Sequence, residues 1–309
     1  RGAGTVVTGM LTDGVLRVGD EVEVQPAGVG ARIRALQNHH EKREELPPGT
    51  RCALNLVGVA HTQVQRGDVV VEPGQWHLAT VVDASLRVLD QLDHSVSRRG
   101  AHVAYLGAGE HPVRMRILGP EALKPGREGS VRLFLPRPLP LLPGDRFVLR
   151  ESGRSETVGG GCVLDVDPRE RASRARPDRS VDRVVRERGW VGSDELERLT
   201  GEWREPDVGQ WVVDPEALQT TLAGLREALD ESGPLGVELS SLDDYQRAAA
   251  VLLDEATVDG DRLRVTNAAD PLADHPFVAA LEATPFAPPA PDGVDRVELR
   301  ELVRRGRVV

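Results

Sequence analysis

Few residues in this chain have types and spacings that could do chemistry. Cys52 and Cys162 are the two thiols, far apart and with no further cysteine or histidine at metal-ligand spacing. They predict neither a disulfide framework nor a zinc site, and read as two small buried side chains. His39-His40 lacks a third ligand and reads as a solvated loop. Gly2-Ala3-Gly4 is no dinucleotide turn, because no helix follows it and the third glycine of that pattern is missing. The chain carries no G-x-x-x-x-G-K-[S/T] loop to cradle phosphates and no evident nucleophile, base and orienter set. By itself it is therefore expected not to be an enzyme, and to hold no metal or cofactor. Recognition is the chemistry that remains.

The elements that would position recognising residues change character at Asp167. Up to there, short apolar-polar alternations recur at Thr5–Thr8, Glu21–Gln25, 31–36, 51–56, Val69–Val71, 79–89, His102–Leu106, 113–118, 130–135 and 146–150. They are punctuated by Asp13-Gly14, Pro48-Gly49, Pro73-Gly74, Pro125-Gly126 and Pro143-Gly144, the pattern of small antiparallel barrels. The simplest partition is a barrel over 1–73 and a second over 74–167. The first strand, RGAGTVVTG, begins with no lead-in and no start methionine, which predicts a piece of something larger.

Charge follows the same boundaries. Residues 1–167 hold 20 Lys/Arg against 20 Asp/Glu, 168–188 hold 8 against 4, and 189–309 hold 11 against 25. The acidic last third is repelled by nucleic-acid phosphates, so any RNA contact is expected on the first half or on the basic segment. That segment, 168–179, reads as a flexible or surface linker in which plain solvation competes with RNA contact.

Beyond it the period becomes helical. Val181, Val184 and Val185 form a stripe, and Asp194–Leu199 opens with a D-x-x-E capping pattern and stops at Gly201. Asp214-Pro215-Glu216 starts a long helix carrying Leu218, Leu222, Leu225 and Leu229. Ser241–Glu255 reads as another amphipathic segment, followed by a hairpin at Val258-Asp259-Gly260-Asp261. Helix, helix and hairpin is the winged-helix order. It predicts modules at 180–214 and 215–268, and the start of a third at 269–309 with a capped helix from Asp295.

GAGTVVTG from Gly2, VGDEVEV from Val18, ARIRALQNHH from Ala31, PGTRCALNLVGV from Pro48 and VQRGDVVVEPG from Val64 together resemble the second domain of Tu-type translational GTPases, in wording closest to the selenocysteine-specific elongation factor, or SelB, family. Residues 79–167, ending RFVLRESGRSETVGGGCVLDVDP, are similar to that family's third domain, with an arginine-rich strand and a Gly-Gly-Gly turn, and the helical tail resembles its row of winged helices. The resemblance implies two translation-factor-type antiparallel β-barrels followed by tandem winged-helix domains, a mainly β fold with α/β modules. It implies that Arg51, in the GxRxALN segment, meets the selenocysteinyl group, where a guanidinium would distinguish an ionised selenol from a neutral serine hydroxyl. The residues alone leave open a plain surface pairing of Arg51. Gly58 and His61 are weaker candidates for lining a terminal-adenosine site, with a loop histidine of no role as the alternative, and Arg66-Gly67-Asp68 matches the family's barrel-closing turn.

The family reading further implies GTP and Mg²⁺ in a GTPase domain outside this chain, selenocysteinyl-tRNA and the ribosome as partners, and an mRNA hairpin met through a winged helix beyond the third. A cytoplasmic monomer with no membrane contact is expected. The alternatives are another tRNA-carrying translational GTPase, or a winged-helix and β-barrel protein with an interaction or regulatory role.

Overall fold

The computed structural model describes residues 4–266 and 272–308, arranged as two compact units: 1–206 with 210–212, and 207–209 with 213–309. No helix among the described residues is long and apolar enough to cross a membrane.

The first unit opens with β1 (Thr5–Leu11), β2 (Leu16–Arg17), β3 (Glu21–Gln25), β4 (Val29–Asn38), β5 (Glu41–Arg43), β6 (Glu45–Leu46), β7 (Thr50–Val57) and β8 (Val69–Val71). Its antiparallel sheet runs β1-β7-β4-β3-β8, with β5 added to β4 and β2 paired to β6. This path is open, so the element is a half-barrel curled over Val22, Val24, Ile33, Leu36, Leu54 and Leu56. On β3 and β7 those side chains come from alternate positions, as the period of two requires, and on β4 an irregularity between Ile33 and Ala35 brings Leu36 to the same face as Ile33.

A closed barrel follows, built from β9 (Leu78–Val88), β11 (His102–Leu106), β12 (Gly109–Leu118), β14 (Glu128–Pro140), β15 (Arg146–Glu151) and β16 (Glu156–Asp165) in the order β11-β12-β14-β9-β16-β15. β10 (Val96–Ser97) and β13 (Ala122–Leu123) form a side ribbon. The Gly-Gly-Gly expected as a turn lies inside β16. A Cβ on Gly161 would stand 1.8 Å from Ser85 O, and one on Gly159 would stand 2.4 Å from Arg87 O. The glycines let two backbones close the barrel at a spacing no side chain allows.

One turn recurs at three joints. In Arg17–Asp20, Gln65–Asp68 and Leu142–Asp145, the aspartate carboxylate accepts the amide of the first residue at 2.7, 2.7 and 2.9 Å. The aspartate amide returns to that residue's carbonyl at 3.2, 3.1 and 3.1 Å. The glycine in third place has φ of +101°, +92° and +105°, which only glycine adopts cheaply. The middle copy, Arg66-Gly67-Asp68, joins half-barrel to barrel. Its Gly67 packs on the backbone of Gly109, and Asp68, with 4% of its side chain exposed, pairs with Arg137 Nη1 at 2.9 Å.

The expected boundary after residue 167 gives way to continuity. α1 (Val181–Arg188), β17 (Trp190–Gly192), α2 (Ser193–Thr200) and the part of β18 (Trp211–Val213) in this unit share one hydrophobic core with the barrel, through Val181, Val184, Val185, Leu196, Leu199 and Val212. Helices of eight residues are too short to bury a core alone. Asp165 and Arg183 (2.8 Å) tie barrel to α1, and Asp83 and Arg132 (2.6 and 2.8 Å) form a second buried pair beside them. The 168–179 segment is an ordered strap: Arg132 donates to Glu170 O at 2.9 Å and Ala175 is buried. α2 begins after Gly192, with Asp194 inside its first turn, so the D-x-x-E pattern there is not the cap.

In the second unit, α3 (Pro215–Ser232) is capped by Asp214, whose carboxylate accepts the Glu216 and Ala217 amides, and buries Leu222, Leu225 and Leu229. β19 (Val237–Glu238), β20 (Ala256–Asp259) and β21 (Arg262–Val265) form a sheet in the order β19-β21-β20. α4 is confined to Asp244–Ala249, shorter than its amphipathic pattern suggests, and is capped by a reciprocal Asp243–Gln246 pair. α5 (Pro276–Ala283) and α6 (Arg296–Arg304) follow, the latter capped by Asp295. Residues 269–271 of the expected third module lie outside the described residues.

Candidate nucleic-acid interface

Arg51 stands on β7, where Cys52, Leu54 and Leu56 face the core and Arg51 is exposed on the opposite face. Across the strand pair it faces Met10, which is 58% exposed. Asn38 Nδ2 donates to the Arg51 carbonyl at 2.8 Å, fixing the backbone and leaving the guanidinium without a partner among the described residues. Asn38 also begins the hairpin joining β4 to β5, where His39 (φ +49°) and His40 (φ +65°) form a two-residue turn with positive φ at both positions. The histidine pair read as a plain loop is thus a built turn at the same end of the sheet as Arg51. Paired histidines between a strand and an E-K-R edge carried that turn signal, but glycine or asparagine is its usual mark.

Gly58 and His61 sit together elsewhere. Gly58 (φ +96°) leaves the far end of β7, and its Cβ position stands 3.3 Å from Gly30 O. His61 is exposed in the 3₁₀ turn His61–Gln63, which Gln63 Oε1 holds by accepting the Ala60 amide at 2.9 Å. Thr5 Oγ1 ties this loop to β1 by donating to Val59 O at 2.8 Å. Seven residues of strand separate Gly58 from Arg51, about 23 Å at ~3.3 Å per residue. The structure groups Arg51 with the histidine turn and places Gly58 and His61, the candidates for a terminal-adenosine site, at the other end of β7. Gly4 (φ +80°) is a packing glycine, its Cβ position 2.1 Å from Asn55 Oδ1; Gly2 and Ala3 lie outside the described residues.

The barrel offers a second surface that the sequence reading missed. Because β16 carries glycine at 159–161, its outer face is a shallow hollow of about 700 Å³ lined by Ser85, Tyr105, Arg146, Val148, Gly161 and Cys162. Cys162 is half-buried here, with its Sγ 3.4 Å from Ser85 Oγ, whereas Cys52 is buried and burial pushes its thiol up. The expectation of two buried thiols holds for Cys52 alone. Among the described residues no group of three His, Cys, Asp or Glu is placed to hold a metal.

A half-barrel and a closed antiparallel barrel in series are the architecture of a Tu-type translation elongation factor, and residues 4–71 match the family model for elongation factor Tu domain 2. Residues 83–170 match the selenocysteine-specific elongation factor β-barrel domain. The selenocysteine-specific elongation factor of Desulfomicrobium baculatum is 32% identical over 165 residues, which are 53% of this chain and 26% of that protein. Elongation factor 1-alpha of Archaeoglobus fulgidus is 31% identical over 191 residues, covering 55% of this chain and 44% of that protein. Elongation factor Tu 2 of Streptomyces avermitilis is 35% identical over 176 residues, covering 54% and 43%. A crystal structure of bacterial selenocysteine-specific elongation factor EF-Sec superposes with a TM-score of 0.71 at 18% identity, covering 99% of this chain and 55% of that one, and shows the shared fold. The chain thus spans from about a quarter to under half of these curated relatives. Residues 4–71 and 83–170 are thus similar to two successive domains of translation elongation factors, the second of the selenocysteine-specific type.

Proposed function

We propose that this chain is the tRNA-holding part of a selenocysteine-specific translation elongation factor, which delivers selenocysteinyl-tRNA to the ribosome at recoded UGA codons with help from an mRNA hairpin. The observation that carries the reading is the match of residues 83–170 to the selenocysteine-specific barrel, directly after a Tu-type domain that presents Arg51 with its guanidinium free of partners among the described residues. A fixed cation facing the aminoacyl end attracts a selenolate and gains nothing from a serine hydroxyl. The His39-His40 turn and Asn38 shape the rest of that end. Gly58 and His61 belong to a separate loop, available to another part of the same long ligand. GTP and Mg²⁺ enter this reading only as properties of the longer relatives, and no step is routed through them. A domain partition at 73, a monomeric state and a cytoplasmic location belong to the same proposal.

The test is protection of the aminoacyl ester. The chain should slow hydrolysis of selenocysteinyl-tRNA more than that of seryl-tRNA, and Arg51→Ala should remove most of the difference, a loss of about tenfold or more for one charge-assisted contact. Equal protection of the two esters by the unaltered chain would overturn the reading.

A further inference from the structure

The strap between barrel and α1 carries more positive charge than its surroundings neutralise. Apart from the exposed Glu170, its neighbouring carboxylates are already engaged. Asp167 pairs with Arg169 and Arg188, each at 2.9 Å; Asp165, Asp178 and Glu187 all pair with Arg183, at 2.8, 3.0 and 2.9 Å; Asp182 pairs with Arg204. Arg171, Arg174, Arg176 and Arg179 are exposed and pair with no carboxylate among the described residues. Arg176 Nη1 donates to the Ala175 carbonyl at 2.8 Å, and the Arg179 guanidinium lies over Gly144, its Nη2 3.1 Å from the glycine's Cβ position. In a chain of net charge −10, this is a local cationic ridge on an ordered backbone. One end of it lies over the turn that leads into Arg146 and the glycine-floored hollow.

We propose that this ridge is a docking surface for the phosphate backbone of an RNA helix. The choice of ligand follows from what the strap has and lacks. Guanidinium forks match phosphate oxygens bidentately, and the clamps at Glu170, Ala175 and Asp178 hold their backbone in one geometry before binding. RERASRARPDR contains no aromatic side chain, so it offers single-stranded bases nothing to stack on. It also carries no leucine, isoleucine, valine or phenylalanine to enter a lipid surface. Recognition through phosphates alone suits a duplex read by shape. The inference deepens the proposed RNA-carrying role by adding a contact with helical RNA through residues other than Arg51.

The probe is a blunt RNA duplex of about 16 base pairs, titrated against the 309-residue chain over a range of salt. The quadruple variant Arg171→Ala, Arg174→Ala, Arg176→Ala, Arg179→Ala should bind it at least tenfold more weakly. Its log-affinity against log-salt slope should be smaller by roughly three to four, about one unit for each phosphate that no longer meets a guanidinium. The matching quadruple lysine variant should keep most of the slope, which controls for folding. A blunt duplex has no aminoacyl end, so Arg51→Ala should leave this affinity unchanged; failure of the selenocysteine reading and failure of the ridge are thereby separable. Unchanged duplex binding by the alanine variant overturns the proposal. So does equal affinity for a single strand of the same length, or binding to anionic vesicles without binding to the duplex.

Discussion

Gly161 is held to glycine by distance rather than by conformation. Its φ is not positive, yet a Cβ would stand 1.8 Å from Ser85 O and 2.6 Å from Ser85 C, both backbone atoms of the neighbouring strand. Gly161→Ala should therefore cost about 4 kcal/mol or more, measured by denaturant unfolding, because the barrel must reopen its β9-β16 seam to admit one methyl. Gly153→Ala, with nothing within 4 Å of its Cβ, should stay within about 0.5 kcal/mol of the parent. Two histidines of the same barrel make stability depend on pH. His102 and His111 are buried, and desolvation lowers the pKa of each; Glu151 partly opposes this at His102, while Arg137 reinforces it at His111. A folded-state pKa below the unfolded one means that the unfolded chain takes up the proton first. Stability is then full above the unfolded value of about 6.5 and declines as pH falls from there toward the folded values. His94, its side chain 17% exposed, has the opposite shift, raised by Asp93 and then Glu151, and offsets part of the effect of the two buried rings. The urea midpoint should drop between pH 7.5 and 5.5, and His111→Asn should recover part of the drop; an identical drop in the variant counts against this account.

At the scale of elements, what could be read in advance depended on whether the deciding contact was local. Strands such as Glu21–Gln25, Val69–Val71 and His102–Leu106 carry their own alternation and turn residues, and their bounds agree with the sequence pattern. The caps at Asp214 and Asp295 are equally local, since each carboxylate serves amides two and three residues on. β16 was illegible because three glycines in a row carry a turn's signature; the reason for Gly159 and Gly161 is the backbone of β9, some seventy-five residues earlier in the chain, and for Gly160 the backbone of β15. The same holds for Cys162, left half-buried beside the glycine backbone rather than buried. At the candidate site, Arg51 could be picked from its motif, but its grouping with the His39-His40 turn and its distance from Gly58 and His61 depended on the sheet order and on which end of β7 each residue occupies. Composition places a residue on a strand; it does not say which strand ends meet.

For the molecule as a whole, the consequential difference is where the first cooperative unit stops. The change of composition after Asp167 marks a change from strand to helix, and it does not mark a fold boundary. α1 and α2 put Val181, Val184, Val185, Leu196 and Leu199 into the core that also holds Val82, Leu86, Leu133 and Val163. Arg183 seats its guanidinium on Asp165, whose side chain is 5% exposed. A chain ending at Asp167 would leave that carboxylate without Arg183 and bare the apolar face which the two helices cover. Losing one partner of a buried pair costs about 3–5 kcal/mol, and each uncovered valine or leucine adds up to about 1.5–3 kcal/mol, against a typical domain stability of about 5–15 kcal/mol. A fragment spanning 1–167 should therefore melt well below one spanning 1–213, or aggregate, even though it contains every strand of both barrels. The longer fragment should show α1 and α2 melting with the barrel: far-ultraviolet circular dichroism at 222 nm and the environment of Trp190, buried on β17, should change in one transition. Coincident melting temperatures for the two fragments, or a helical signal that disappears before the tryptophan signal in the longer one, would mean that the helices only rest on the barrel and that the boundary lies at the strap after all.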